Sequence, residues 1–134
     1  MAGLLVAVLA PLLETQRADR GLDRDQRRRL ETWCAAHIRH RIEPGDLARV
    51  LGLSGDDCAR RFRATYGCAP RTWLVRERLR HVAVVLREND AALDDIARSF
   101  GHADQNLMGR QFRGAYGCSP GRYRRKARGA DDDL

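Results

Sequence analysis

Apolar side chains recur along most of this chain at intervals of three and four residues, the spacing of amphipathic helices. Leu30, Trp33, Cys34, His37 and Ile38 form one such stripe between Asp25 and about His40, with Arg27, Arg28, Arg29 and Arg39 on the outer faces. Pro44 suits the first turn of a helix running to about Leu51, where its missing N–H costs nothing, and Gly52 turns the chain. Ser54 then caps a helix that carries Asp56 and Asp57 in its first turn and turns Cys58, Phe62 and Tyr66, four residues apart, toward a core. Gly67 fits a left-handed C-terminal cap, and Pro70 opens the next helix. Arg71 to Glu88 is a long helix with Val75, Leu79, Val82, Val85 and Leu86 on one stripe. No Gly or Pro interrupts it, so it is expected to act as a rigid spacer until Asn89 to Ala92 break it.

The pattern before that helix returns after it. Leu47 to Trp73 reads L-A-R-V-L-G-L-S-G-D-D-C-A-R-R-F-R-A-T-Y-G-C-A-P-R-T-W, and Ile96 to Tyr123 reads I-A-R-S-F-G-H-A-D-Q-N-L-M-G-R-Q-F-R-G-A-Y-G-C-S-P-G-R-Y. Ala48, Arg49 and Gly52 match Ala97, Arg98 and Gly101 at a shift of 49. Arg60, Phe62, Arg63, Tyr66, Gly67, Cys68 and Pro70 match Arg110, Phe112, Arg113, Tyr116, Gly117, Cys118 and Pro120 at a shift of 50. The second copy therefore carries one extra residue in its turn. Matches concentrated on turn and core positions mark a duplicated structural unit. Each unit reads as helix, turn, helix, with Ser119-Pro120 starting a further helix after the second.

The ends are different. Leu5, Val8, Leu9, Leu12 and Leu13 fall at helical spacing, interrupted by Pro11, with no charged face to solubilise them. The segment is too short to span a bilayer, which takes about 20 residues, and it lacks the basic start of a secretory signal. Its apolar surface calls for a partner: a second copy docking through Met1–Leu13, a larger preceding domain of which it is the tail, or the rest of this chain. Thr15 to Arg24 reads as a polar linker, residues 1–24 forming one block before the domain. Arg122 to Arg128 is strongly basic, and residues 129–134 form an acidic tail expected to stay disordered.

Charge narrows the partner. The 134 residues carry a net charge of +7, almost all of it on arginine, since Lys126 is the sole lysine. Arginine suits bidentate contacts to phosphate and guanine, so a polyanion is favoured. Cys34, Cys58, Cys68 and Cys118 include no C-x-x-C pair, which argues against a zinc ribbon or a redox motif. Cys34 and His37 could reach one metal, but a buried thiol beside a half-buried ring is the simpler reading. No metal or cofactor is expected. Neither H-E-x-x-H nor a phosphate loop is present, and no cysteine–histidine pair has a third partner, so catalysis is not expected.

A helix-turn-helix sets its second helix in the DNA major groove, with the first residues of that helix reaching base edges. Two such units joined by a helix resemble the AraC/XylS family of bacterial transcription regulators. Ile96, Ala97, Gly101, Asp104, Arg110, Phe112, Arg113, Gly117, Ser119, Pro120, Tyr123 and Arg124 carry the likeness in the second unit. Leu47, Ala48, Gly52, Ser54, Arg60, Phe62, Gly67 and Pro70 carry it in the first, and Arg78-Leu79 falls where the connecting helix usually has Arg-Leu. His102 stands where the family usually has Phe, Asn106 where it has Ser, Met108 where it has a second Phe, and Val82 at a usual Ala. The resemblance covers about Asp25 to Arg128. It implies an all-α domain of about seven helices over 25–128, with a first helix-turn-helix at 47–68, a connecting helix at 71–88 and a second at 95–118. Most members carry a sensing or dimerising domain first. With only about 24 residues here, a small stand-alone member and a truncated one are both open.

Carried over by position, the base-facing residues would be Asp56, Ala59 and Arg60 in the first unit and Gln105, Asn106, Gly109 and Arg110 in the second. Either arginine could grip guanine bidentately, and Gln105 or Asn106 could do the same for adenine. Asp56 could accept from cytosine, although stabilising its own helix N-terminus is the plainer role for an acid there. Ser54, Arg63, Arg71, Arg113, Arg122 and Arg124 are placed for phosphates, contacts that add affinity and salt sensitivity without reading sequence. The resemblance thus implies a cytoplasmic, nucleoid-associated regulator that puts two helices into successive major grooves of double-stranded DNA and often activates transcription through RNA polymerase. The competing reading is a protein-interaction module or anti-activator that binds DNA weakly.

Overall fold

The computed structural model describes residues 20–129. The expectations for Met1–Leu13 and for the acidic end of the tail lie outside them. Seven helices and no strand form among the described residues: α1 Arg24–His37, α2 Pro44–Leu51, α3 Gly55–Tyr66, α4 Pro70–Glu88, α5 Leu93–Ser99, α6 Gln105–Tyr116 and α7 Pro120–Ala127. They fall into two compact units. Among the described residues one comprises 20–35 together with Ile42–Trp73, and the other comprises Ala36–Arg41 and 74–129.

Local chemistry sets the helix ends. Asp23 Oδ1 accepts from the Gln26 N–H while Gln26 Oε1 accepts from the Asp23 N–H, a reciprocal cap that starts α1. Ser54 Oγ accepts from the Asp57 N–H at 3.2 Å to start α3, and Asp104 Oδ1 accepts from the Leu107 N–H at 2.8 Å to start α6. Ser119 does the same for α7 through the Arg122 N–H. Both α3 and α6 end on a glycine at positive φ, Gly67 at 73° and Gly117 at 77°, a conformation that a side chain would strain.

In the first unit, Leu30 and Cys34 of α1, Leu47, Ala48 and Leu51 of α2, and Cys58 and Phe62 of α3 are buried. Phe62 meets the Trp73 ring edge-on at 5.4 Å, and Tyr66 closes the trio at 5.3 Å from each. The Thr15–Arg24 stretch does not finish as a free linker. Gly21 and Leu22 are buried, and the Leu22 N–H donates to Thr65 Oγ1 at 2.7 Å. Gly21 has φ +80°, and a Cβ there would meet Thr65 Oγ1 at 2.4 Å. Only glycine lets the backbone lie this close to α3.

In the second unit, Leu79, Val82, Ala83 and Leu86 of α4 pack with Ile38, Ile96, Ala97, Phe100, Met108 and Phe112. The long helix is therefore more than a spacer: from Leu74 onward it supplies one wall of this core. Met108 is fully buried and takes the place of the family's usual Phe. The aromatic trio recurs as Phe112, Tyr116 and Tyr123, with Phe112 stacked on Tyr116 at 4.4 Å and edge-on to Tyr123 at 5.2 Å. The α1 helix ends at His37, short of the expected His40. Ile38 still reaches the core, whereas His37 is exposed rather than half-buried.

The duplication also extends further than the turn and core residues. Arg78 donates from Nε to the Ile38 carbonyl and from Nη2 to that of His40, both at 3.4 Å, just past the end of α1. Fifty residues on, Arg128 donates to the Asn89 carbonyl at 2.8 Å and pairs with Asp90, just past the end of α4. Each arginine satisfies acceptors that a helix leaves unpaired at its exit.

Candidate nucleic-acid interface

On α6 the residues 105, 106, 109, 110 and 113 share one helical face by spacing. The fold brings Gln105, Asn106, Gly109, Arg110 and Arg113 around one open recess of about 380 Å³, floored in part by Leu93 and Pro120. Gln105, Asn106, Arg110 and Arg113 are exposed. No hydrogen bond or ion pair holds the side chains of the first three among the described residues. They are donors and acceptors presented to solvent on a rigid, capped helix.

The matching face of α3 is not in the same state. Asp56 and Arg60 are exposed and Ala59 is half-buried. Arg60 Nη2 donates to Asp57 Oδ1 one turn earlier, forming an ion pair. The bond from Arg60, together with one involving Ser54, holds the Asp57 carboxyl below its ordinary value. Sequence reasoning misses this pair, although its i, i+3 spacing on a predicted helix is the signal that could have found it.

The arginines expected at phosphates divide in the same way. Arg63, Arg71, Arg113 and Arg122 are exposed, and Ser54 stands at the start of α3 with its hydroxyl engaged as cap. Arg124 is half-buried. Its Nε donates to the Leu86 carbonyl at 3.3 Å and its Nη2 to that of Ala91 at 2.8 Å, so two of its five N–H groups are already bonded within the fold. Its first role is to hold α7 against the exit of α4.

His102 sits in the turn of the second unit, at the position after the left-handed Gly101. Its N–H donates to the Ala97 carbonyl at 2.9 Å, as the Leu53 N–H does to Ala48 in the first unit. Burial draws the ring in like the aromatic side chain usual there, and Nε2 lies 3.1 Å from Gln111 Oε1. With Nε2 donating, the buried Nδ1 meets no partner among the described residues. Desolvation holds this imidazole below its ordinary 6.5, Arg78 adding to the effect against the opposing Gln111 bond. As pH falls through 6.5 the unfolded chain takes up the proton before the folded ring does, so this unit is expected to lose stability until the folded ring also titrates. His81, lowered by desolvation and by Arg80, acts in the same direction. The urea midpoint should therefore be lower at pH 5.5 than at 7.5, and His102→Phe should reduce the difference.

Gly109 and Gly114 both lie within α6, and a Cβ at either would meet nothing within 4 Å. Alanine at either position is expected to stabilise the helix by about 0.5–1 kcal/mol, read as a higher melting temperature. Gly109, unlike Gly114, lines the recess with Gln105 and Arg110, so only the Gly109 change should also alter DNA binding.

All four cysteines are free, and burial pushes the Cys58 thiol up. Among the described residues no group of three histidine, cysteine or acidic side chains could hold a metal, and no helix is long and apolar enough to cross a membrane.

Comparison with known proteins bears on the same elements. The helix-turn-helix domain family matches residues 47–126. The HTH-type transcriptional regulator ExsA of Pseudomonas aeruginosa is 27% identical over 96 residues, 72% of this chain and 34% of that protein. An AraC-like transcription regulator of Streptomyces lividans is 38% identical over 80 residues, 60% of this chain and 26% of that protein. This chain thus spans about a quarter to a third of the length of these relatives. Among solved structures, the DNA-binding domain of AdpA in complex with a target DNA aligns with a TM-score of 0.67 at 27% identity, over 78% of this chain and 95% of that one. An AraC-type regulator from Chromobacterium violaceum aligns with a TM-score of 0.72 at 17% identity, over 77% and 92%, a likeness of fold.

Proposed function

Since the chain belongs to the AraC/XylS family of helix-turn-helix transcription regulators, we propose that it binds double-stranded DNA sequence-specifically, with α3 and α6 in successive major grooves. The observation that carries this reading is the α6 face, where Gln105, Asn106 and Arg110 stand exposed and uncommitted. Those residue types make bidentate pairs with adenine and guanine, each worth about 1–3 kcal/mol of discrimination. Arg63, Arg71, Arg113 and Arg122 supply phosphate contacts, and Arg124 contributes less because two of its nitrogens are occupied. Asp56 serves the N-terminus of α3 and, where it meets DNA, accepts from cytosine.

The output is activation through RNA polymerase, in keeping with the activators among its relatives, and the protein works in the cytoplasm at the nucleoid. Met1–Leu13 is the candidate contact for a homodimer. No metal or cofactor takes part.

Gel shifts of the chain on DNA from its own upstream region test the reading. A sequence-specific shift should appear at low salt and weaken steeply as salt rises, because each neutralised phosphate releases counterions. Absence of any specific shift at low salt would sink the proposal and leave the chain as a protein-interaction module.

A further inference from the structure

Duplication makes the two reading helices a built-in comparison. Arg60 of α3 and Arg110 of α6 are equivalent at a shift of 50, but three residues earlier the copies differ, Asp57 against Leu107. The Asp57 carboxylate accepts from Arg60 Nη2, and its own N–H is anchored by Ser54 Oγ at 3.2 Å. Both partners face solvent, with 57% of the Arg60 side chain and 40% of that of Asp57 exposed. Leu107 is half-buried, and Arg110 has no corresponding acid.

We propose that Asp57 is a positioning residue that makes Arg60 a reader of guanine rather than an anchor for phosphate, an inference resting on α3 entering a groove. An ion pair this exposed is weak and easily exchanged, so Asp57 cannot keep Arg60 from DNA. What it does is restrict the guanidinium. One of the five arginine donors is taken, and enough remain for the two bonds to guanine O6 and N7. A carboxylate beside the guanidinium repels a phosphate, whereas guanine presents only neutral acceptors to it. The Asp57–Arg60 pair therefore gives up general affinity for DNA in exchange for base preference.

Competition titrations with the full chain, using a selected duplex and a random one, test this with Asp57→Leu, which copies the second unit, and Asp57→Asn, which removes the charge at constant size. Either change is expected to raise affinity for random DNA and to lower the preference for guanine at the Arg60 contact by about tenfold. Leu107→Asp should do the reverse in α6, lowering random binding more than selected binding. A purely helix-stabilising Asp57 would instead shift the melting temperature and leave the ratio of selected to random binding unchanged. That result overturns the inference. If Arg60→Ala itself leaves selected binding intact, the reading of α3 as a groove helix falls and this inference with it. Loss on Arg60→Ala with an unchanged ratio in the Asp57 variants refutes the role of Asp57 alone.

Discussion

Phe112→Ala is expected to cost about 3–5 kcal/mol of stability, the usual range for emptying a buried phenylalanine site. Phe112 is fully buried, belongs to the cluster that joins α4, α5 and α6, and contacts both Tyr116 and Tyr123. Removing the ring leaves a cavity and takes away the surface on which Tyr116 stacks at 4.4 Å. A domain of this size has roughly 5–15 kcal/mol in total, so most of the margin of the second unit would go. Urea denaturation should show a much lower midpoint, and DNA binding should fail at temperatures where the parent chain still binds. A loss below about 1 kcal/mol would mean that neighbours collapse into the space, and the core would then be less tightly specified than its burial suggests.

Arg110→Ala should weaken binding to a cognate duplex by about 1–3 kcal/mol, roughly 5- to 150-fold, with little change on random DNA. Arg110 is exposed, stands beside Gln105, Asn106 and Gly109 at one recess, and needs no internal contact to be broken before it meets a base. Truncation should leave the fold intact, because the residue contributes nothing to the buried set. Parallel gel-shift titrations on cognate and random duplexes provide the measurement. Equal losses on both would show that Arg110 touches only phosphate.

Much of this architecture is legible locally. Ser54, Gly67, Pro70, Asp104, Gly117, Ser119 and Pro120 act on backbone groups within four residues of themselves, so the helix boundaries they set can be read one residue at a time. The four-residue spacing of Cys58 and Phe62 likewise marks the buried side of α3 before any partner is known. Repetition at a shift of 50 then makes the two units one design used twice, and the arginine excess points to a polyanion. The exposed row on α6 follows from the same periodicity.

Which arginines are available to a ligand is a different kind of question. Nothing in the sequence around Arg78, Arg124 and Arg128 shows what their side chains meet, yet each is bound to carbonyls 33 to 40 residues away. The docking of Gly21 and Leu22 on Thr65, and the part that α4 takes in the second core, are likewise contacts between distant segments. A one-dimensional pattern records which face of a helix is apolar but not what that face meets, nor where an unpaired helix end will come within reach of a long side chain. The sequence by itself determined the helices, their duplication and the candidate reading face. Only the tertiary structure decided which charges on that scaffold are already spent, because a guanidinium is free or committed according to acceptors that folding alone brings near.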